Sequence, residues 1–415
     1  MKTERQYKRI PVTKKGERWL QTGHPWIYES DISFNPSGED GKDVIPNGAV
    51  VDAVSESGKY LGSGFYSRFS KIRIRLISRN ANDTFDAAFW QRRIKYAVDY
   101  RMTVMGADTD AFRVIFGEAD GFPGLTVDKF HDLLSVQILS VGIENLKDLI
   151  IPSIVNDLRA RGFEINGVYE RNDQQIRQLE GLPVFKGWYE GEGIKAPSSP
   201  VTKIVENGII YDVDVENGQK TGFFLDQKYN RLAVSKIAKG KRVLDCFTHT
   251  GSFALNAAKG GAEHVTAVDI SKTAIDMAQK NAQQNGLSGK MDFLTKDIFE
   301  LLPELIEKGG KNYDFIILDP PAFTKSRDTA GNARRGYKEI NYRAMKLLPR
   351  GGYLATASCS HFMPHEEFEK MLVSASRGAG VSLKQIEMRQ QAPDHPILWN
   401  VPETDYLKFY IFQVI

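Results

Sequence analysis

Val243-Leu244-Asp245-Cys246-Phe247-Thr248-His249-Thr250-Gly251 runs from an apolar segment through a small, polar turn into the helix-forming Ser252-Phe253-Ala254-Leu255. A strand, a tight turn and a helix start in that order form the opening unit of a parallel α/β sheet, whose ligands lie outside the carboxyl ends of the strands. From about residue 204 the same alternation continues to the end of the sequence. Strands are expected at 243–246, 265–268, 291–294, 314–318 and 352–357, with helices at 252–258, 272–284 and 337–348. A further helix at 365–376 and two segments at 381–388 and 408–414 complete the pattern, the last two as an antiparallel edge pair. The expectation is an α/β, doubly wound, largely parallel sheet.

The turn lacks the G-x-G-x-x-G of a dinucleotide binder, so pyrophosphate is not the expected ligand. Small residues there let backbone N–H groups approach a ligand closely. Asp269 ends the second strand, where an acid commonly accepts hydrogen bonds from ribose hydroxyls. Asp297 follows the third strand, within reach of an adenine amino group. Each acid alone would also serve as a helix N-cap. As a set after successive strands, Asp245, Asp269 and Asp297 fit an adenosine ligand that carries a positive charge and no phosphates. S-adenosylmethionine is that ligand. Cys246, inside the first strand, reads as a small buried residue.

Two further stretches carry chemistry. Phe315-Ile316-Ile317-Leu318 ends in Asp319-Pro320-Pro321, and Tyr353-Leu354-Ala355-Thr356-Ala357 ends in Ser358-Cys359-Ser360. Neighbouring strand ends open onto one crevice, so a carboxylate and a thiol would face one substrate. That pair suits a pyrimidine ring: thiolate attack at carbon 6 makes carbon 5 nucleophilic enough to take a methyl group. Cys359 would supply the thiol, and Asp319 would support the N3 edge of the ring. Pro320 and Pro321 would form a rigid wall against a flipped base. Asp319, His361 or a bound water could take the carbon-5 proton. Phe323, and secondarily Phe223 or Tyr337, would stack on the extruded base. Lys325, Arg327, Arg334, Arg335, Lys338 and Arg343 follow closely, opposed by Asp328 and Glu339, and would hold RNA phosphates.

The rest of the chain bounds this reading. Its 415 residues exceed one ordinary domain. Apolar runs are too short for a membrane span, and the basic N-terminus lacks the apolar core of a signal peptide. Two cysteines argue against a disulfide framework and for a reducing cytoplasm. Net charge is +3, yet residues 1–80 hold 14 Lys and Arg against 9 Asp and Glu. This basic balance is compatible with polyanion binding.

Residues 1–78 read as a small β-rich unit, with segments at 50–54, 60–66 and 72–77. Alternation in the last puts Arg73 and Arg75 on one exposed face, flanked by Arg68, Lys71 and Arg79. Residues 80–196 read as a second α/β unit, with helices at 86–103 and 145–161 and strands at 112–116, 125–127, 133–139 and 168–171. Glu190-Gly191-Glu192-Gly193 and Ala196-Pro197-Ser198-Ser199-Pro200 have linker composition.

The stations at Asp245–Gly251, Asp269, Asp297 and Asp319-Pro320-Pro321 resemble those of class I S-adenosylmethionine-dependent methyltransferases, over 200–415. Gly218-Gln219-Lys220-Thr221-Gly222-Phe223-Phe224-Leu225-Asp226-Gln227 is similar to the lead-in of large-subunit ribosomal RNA methyltransferases with an N-terminal PUA domain. His24-Pro25-Trp26-Ile27-Tyr28 looks like the PUA start, and Glu118-Ala119-Asp120-Gly121-Phe122-Pro123-Gly124-Leu125 like the middle-domain signature. The resemblance implies a PUA-like RNA-binding domain at 1–78, a middle domain at 80–196 shaping the RNA cleft, and a Rossmann-like, seven-stranded methyltransferase domain at 200–415. It implies S-adenosylmethionine contacts from Lys220, Phe223, Asp245, Phe247, Thr248, Gly251, Asp269, Asp297 and Asp319. It also implies large-subunit ribosomal RNA as partner and substrate, and it allows a homodimer.

RNA cytosine-5 methyltransferases use a cysteine in a Ser/Thr-Cys-Ser motif, which Ser358-Cys359-Ser360 matches. Many carry a second cysteine beside Asp-Pro-Pro, where this chain has Ala322. The expected activity is methylation of cytosine carbon 5. The alternatives are methylation of a base nitrogen such as guanine N7, which needs no thiol, or a non-catalytic role in ribosome assembly. No metal is expected.

Overall fold

The computed structural model describes residues 6–33, 44–310, 312–323 and 330–415, and the elements named below are those of the described residues. The chain divides into two compact units. The first holds Met1–Ile204, Asp212–Leu225 and Pro393–Thr404; the second holds Val205–Tyr211, Asp226–Ala392 and Asp405–Ile415.

In the first unit, Lys8–Val12, Val50–Ser55, Tyr60–Tyr66, Ile72–Ser78 and Trp26–Tyr28 form a five-stranded sheet in that spatial order. A second five-stranded sheet runs from Phe185–Trp188 through Gly167–Asn172, Leu133–Ile138 and Leu125–Phe130 to Ala111–Phe116. Helix Ala87–Met105 starts where Asp86 accepts a hydrogen bond from the Phe89 amide at 2.9 Å, and it buries Phe89, Trp90, Ile94 and Val98. Two segments distant in sequence are hydrogen-bonded into this unit. The Arg113 amide donates to Asp394 at 2.8 Å, and Arg171 donates to the Val215 carbonyl at 3.1 Å.

One expectation fails here. Arg73 and Arg75 do not make an exposed basic face. Their strand lies inside the sheet, between Tyr60–Tyr66 and Trp26–Tyr28. Arg75 pairs with the buried Glu180 at 2.9 Å, and Arg73 pairs with Glu29. Alternation placed both side chains on one face correctly, but partners from elsewhere in the chain cover that face. Arg68 and Lys71 remain exposed, with Phe69 59% exposed between them.

The second unit is built on β1 (Arg242–Cys246), β2 (His264–Asp269), β3 (Met291–Thr295), β4 (Phe315–Leu318), β5 (Tyr353–Ser358), β6 (Leu383–Arg389) and β7 (Lys408–Val414). Their order is β3-β2-β1-β4-β5-β7-β6. The first five are parallel, whereas β7 is antiparallel to both β5 and β6. Helices α1 (Lys228–Ile237), α2 (Ser252–Lys259), α3 (Lys272–Gln284), α4 (Ile298–Glu307), α5 (Ala330–Leu347) and α6 (His365–Ala379) accompany the strands. Every residue of β4 is fully buried, as expected of a strand covered on both faces. Leu244, Ile316 and Leu354 pack with Ile340 and Phe368 in one core cluster, and Phe253 stacks on Phe409 at 5.8 Å. No described helix is long and apolar enough to cross a membrane.

Helix α5 begins earlier than the expected residue 337, and α4, which carries Pro303, is a helix the sequence reading did not name. A buried ion pair braces this unit. Arg231 on α1 donates to both Glu206 oxygens at 2.6 and 2.8 Å, with each side chain at most 1% exposed. Removing one partner strands the other charge in the interior. Glu206→Gln is therefore expected to lower stability by about 3–5 kcal/mol, read as a lower urea midpoint.

Candidate active site

The β1–β4 register sets Cys246 against Leu318, so the chain leaves these neighbouring strands at Phe247 and Asp319 side by side. Strand order reverses between β1 and β4, which makes this the switch point of the sheet. Beyond β1 the backbone is unusual. Phe247, His249 and Gly251 stand at φ 65°, 51° and 82°, and left-handed non-glycine residues of this kind cluster at functional sites. At Gly251 a Cβ would come 3.0 Å from the Ala278 Cβ on α3, so only glycine allows the turn to sit this close to the helix.

Asp245 organises the turn from beneath. Its Oδ2 accepts from Thr248 Oγ1 at 2.6 Å and from the Ala254 amide at 2.9 Å. Its Oδ1 is buried with no hydrogen-bond partner among the described residues. Burial pushes this carboxyl up to about 7; the Thr248 and Ala254 bonds oppose the rise, and the nearby charges of Asp319 and Asp269 add to it. Three of the acids singled out in the sequence are thus within electrostatic reach of one another.

Asp269 ends β2 and takes the His249 amide on one oxygen and the Ser271 amide on the other, both at 2.9 Å. Each carboxylate oxygen keeps capacity for a second donor. The turn's own amides are less available than expected, since Thr248 donates to the Val268 carbonyl and His249 to Asp269. Asp297 is the N-cap of α4, accepting from the Phe299 amide at 2.8 Å. Ile270, which directly follows Asp269, is 70% exposed. It gives this strand end an open apolar surface beside the carboxylate. Its sequence signal was the isoleucine next to the acid.

Asp319 is oriented by a residue that received no role in the sequence reading. Gln227 donates to Asp319 Oδ1 at 2.9 Å and itself accepts from Asn230 on α1 at 2.7 Å. Pro320 is buried and Pro321 exposed. Phe323 is half-buried against Tyr337, Phe299 and Phe247, with centroids 4.7, 5.9 and 6.5 Å away. Tyr337 itself is fully buried, in contact with Phe368, so it belongs to the core and is not open for base stacking. Its hydroxyl lies within electrostatic reach of Cys359 and Asp319. Burial pushes it well above the ordinary tyrosine range, and both neighbours add to the rise.

Cys359 follows the last residue of β5 and is partly exposed, whereas Cys246 is fully buried. Burial, with the Asp245 charge, pushes the Cys246 thiol well up and leaves it inert. His361 is exposed. On α5, Arg334 is half exposed and pairs with Glu367 at 2.9 Å, and Arg335 is exposed. Lys325 and Arg327 lie outside the described residues. Lys220 and Phe223 belong to the first unit, where Phe223 is buried and the Lys220 ammonium sits 4.5 Å from the Phe224 ring centroid.

Comparison with known proteins sets this geometry in a family. Residues 186–412 match the S-adenosylmethionine-dependent methyltransferase family, and residues 10–79 match the PUA-like domain. The chain belongs to the S-adenosylmethionine-dependent methyltransferases. It is 42% identical over 401 residues to the ribosomal RNA large subunit methyltransferase I of Aeromonas salmonicida, covering 96% of this chain and 97% of that protein. Identity to the Klebsiella pneumoniae protein of the same name is 37%, over the whole of both chains. Among solved structures, a methyltransferase complexed with SAH aligns with TM-score 0.80 at 22% identity, covering 98% of this chain and 100% of that one. An S-adenosylmethionine-dependent methyltransferase from Streptococcus mutans aligns with TM-score 0.78 at 22% identity, over 98% and 100% of the two chains.

The methyltransferase turn fits its cofactor. Asp245 Oδ1 offers a buried, unused acceptor, Gly251 leaves the close approach open, and Asp269 with Ile270 presents a carboxylate beside an apolar surface. The raised Asp245 carboxyl has a consequence for stability. The folded state holds this proton up to about pH 7, whereas an unfolded aspartate releases it near 4. Stability from this group therefore falls as pH rises from about 4 to 7 and stays low above that. Asp245→Asn is expected to gain about 2–4 kcal/mol relative to the parent between pH 5 and pH 8, measured by urea unfolding at both values.

Proposed function

We propose that this methyltransferase transfers a methyl group to carbon 5 of a cytosine in large-subunit ribosomal RNA, with Cys359 as nucleophile. The observation that carries the reading is the partly exposed Cys359 after β5, on the strand next to the one that ends at Asp319. The names of the full-length relatives support the ribosomal RNA substrate.

Bound S-adenosylmethionine supplies an electrophilic methyl group. In this reading Asp245, Phe247, Thr248 and Gly251 hold it at the β1 turn, Asp269 its ribose, Asp297 its adenine, and Asp319 completes the contacts of this unit. The Cys359 thiolate adds to carbon 6 of the cytosine, forming the Sγ–C6 bond and moving the ring's π electrons so that carbon 5 takes the methyl group. Asp319, held by Gln227, hydrogen-bonds the N3 edge through a shared proton. A base, for which Asp319, His361 and a bound water are the candidates, then removes the carbon-5 proton. The C–H electrons re-form the C5–C6 double bond, and the Sγ–C6 pair returns to sulfur. Ala322 occupies the place of a second thiol, so release depends on that base alone. Pro320, Pro321 and Phe323 would wall the flipped base, and Arg334, Arg335 and Lys325 would hold its phosphates. On the PUA-like domain, exposed Arg68, Phe69 and Lys71 are the groups suited to contact RNA.

Cys359→Ser is expected to lower turnover on unmodified ribosomal RNA by at least about 1,000-fold while S-adenosylmethionine binding is retained. Nucleoside mass spectrometry of the product RNA should show 5-methylcytidine. Near-normal turnover of the serine variant, or a methyl group on a base nitrogen, would overturn the reading.

A further inference from the structure

Lys408 opens β7, and its register partner is Ser358, the last residue of β5 and the neighbour of Cys359. The side chain is 1% exposed. Its ammonium donates to the Ser360 carbonyl at 2.7 Å and the Tyr406 carbonyl at 2.8 Å. No carboxylate pairs with it directly among the described residues. A buried ammonium held only by carbonyls costs several kcal/mol in desolvation, so a lysine is a poor choice for stitching backbone alone. The negative groups within its electrostatic reach are Cys359 and Asp405, and both favour its charged form.

We infer that Lys408 is a positioning residue: its ammonium fixes the Ser358–Ser360 turn and acts as the counter-cation of the Cys359 thiolate. The inference rests on Cys359 being the nucleophile proposed above. Thiolate, not thiol, is the attacking species, and a neighbouring cation raises its fraction near neutral pH. The bonds to Ser360 and Tyr406 hold the cation in place on a rigid strand rather than on a mobile side chain.

Other charges around the pair have their own engagements. Asp405 is 3.4 Å from His365 of α6, and His365 is also 3.4 Å from the Tyr410 hydroxyl. The Tyr337 hydroxyl of α5 also lies within electrostatic reach of Cys359, but burial holds it well above the ordinary tyrosine range, so it is a neutral phenol where the thiol titrates. Lys408, buried on β7, is the cation that the described residues place within electrostatic reach of the thiol. Burial pulls its ammonium down to about 8, so the stabilising charge is present below that pH and is lost above it. The two groups then titrate as a pair.

Alkylation of the native, full-length protein with iodoacetamide reads this coupling directly. Cys246 is fully buried, so the reaction reports Cys359, and Cys359→Ser supplies the blank. The wild-type rate should rise with an apparent midpoint below the ~8.5 of a free thiol. At pH 7, Lys408→Met should react about tenfold more slowly, with the profile displaced upward by about one unit. Lys408→Arg, which keeps the charge, should stay near the wild-type profile. A wild-type midpoint at or above 8.5 would overturn the inference without any variant. So would superimposable wild-type and methionine profiles, or equal displacement in the arginine variant. The outcome is separable from the proposed reaction: turnover of Cys359→Ser tests the nucleophile, whereas alkylation tests only the lysine–thiol coupling.

Discussion

Parallel pairing of β1 with β4 sets Cys246 beside Leu318, and everything at the site follows from the chain having to leave the sheet at those two points. Both strands are buried on their two faces, so packing against the layers above and below fixes where each strand ends. The reversal of strand order between them keeps crossover helices from covering the gap. Asp245, Asp269 and Asp319 therefore converge on one edge, each on a rigid strand end and not on a flexible loop.

That convergence is electrostatically unfavourable without a ligand. Asp245 is buried with one oxygen unused, and its proton is retained to about pH 7 because of desolvation and two neighbouring acids. A cationic cofactor answers such an arrangement more naturally than a phosphate would. The hydrogen bonds that do exist serve geometry: Thr248 and Ala254 hold Asp245, His249 and Ser271 hold Asp269, and Gln227 holds Asp319. Beyond β5 the same logic uses positive charge. Lys408 comes from the antiparallel β7, so the strand that breaks the parallel pattern is also the one that brings a buried ammonium to the cysteine turn.

Several elements were legible in the order of residues alone. The central parallel strands of the second unit could be located because buried parallel strands are short apolar runs, as in Phe315-Ile316-Ile317-Leu318, and most of the helices between them carry 3.6-residue periodicity. The acids could be singled out because each lies at or shortly after the end of a strand. The N-cap at Asp297 was an open alternative in the sequence, and its bond to the Phe299 amide shows the cap is real. A cap is a local interaction, whereas a ligand contact is not.

What tertiary structure alone decided concerns partners distant in sequence. Arg73 and Arg75 share a face by alternation, but Glu29 and Glu180 neutralise it. Tyr337 offers an aromatic ring in sequence, yet packing against Phe323 and Phe368 removes it from the site. Gln227 lies 92 positions from Asp319, and Lys408 lies 48 from Ser360, so no local pattern could pair them. By itself the sequence determined the order of elements and the chemistry available at strand ends, because those depend on local periodicity and residue type. Which charges stay open, and which are held or cancelled, depended on contacts that exist only once the chain has closed on itself.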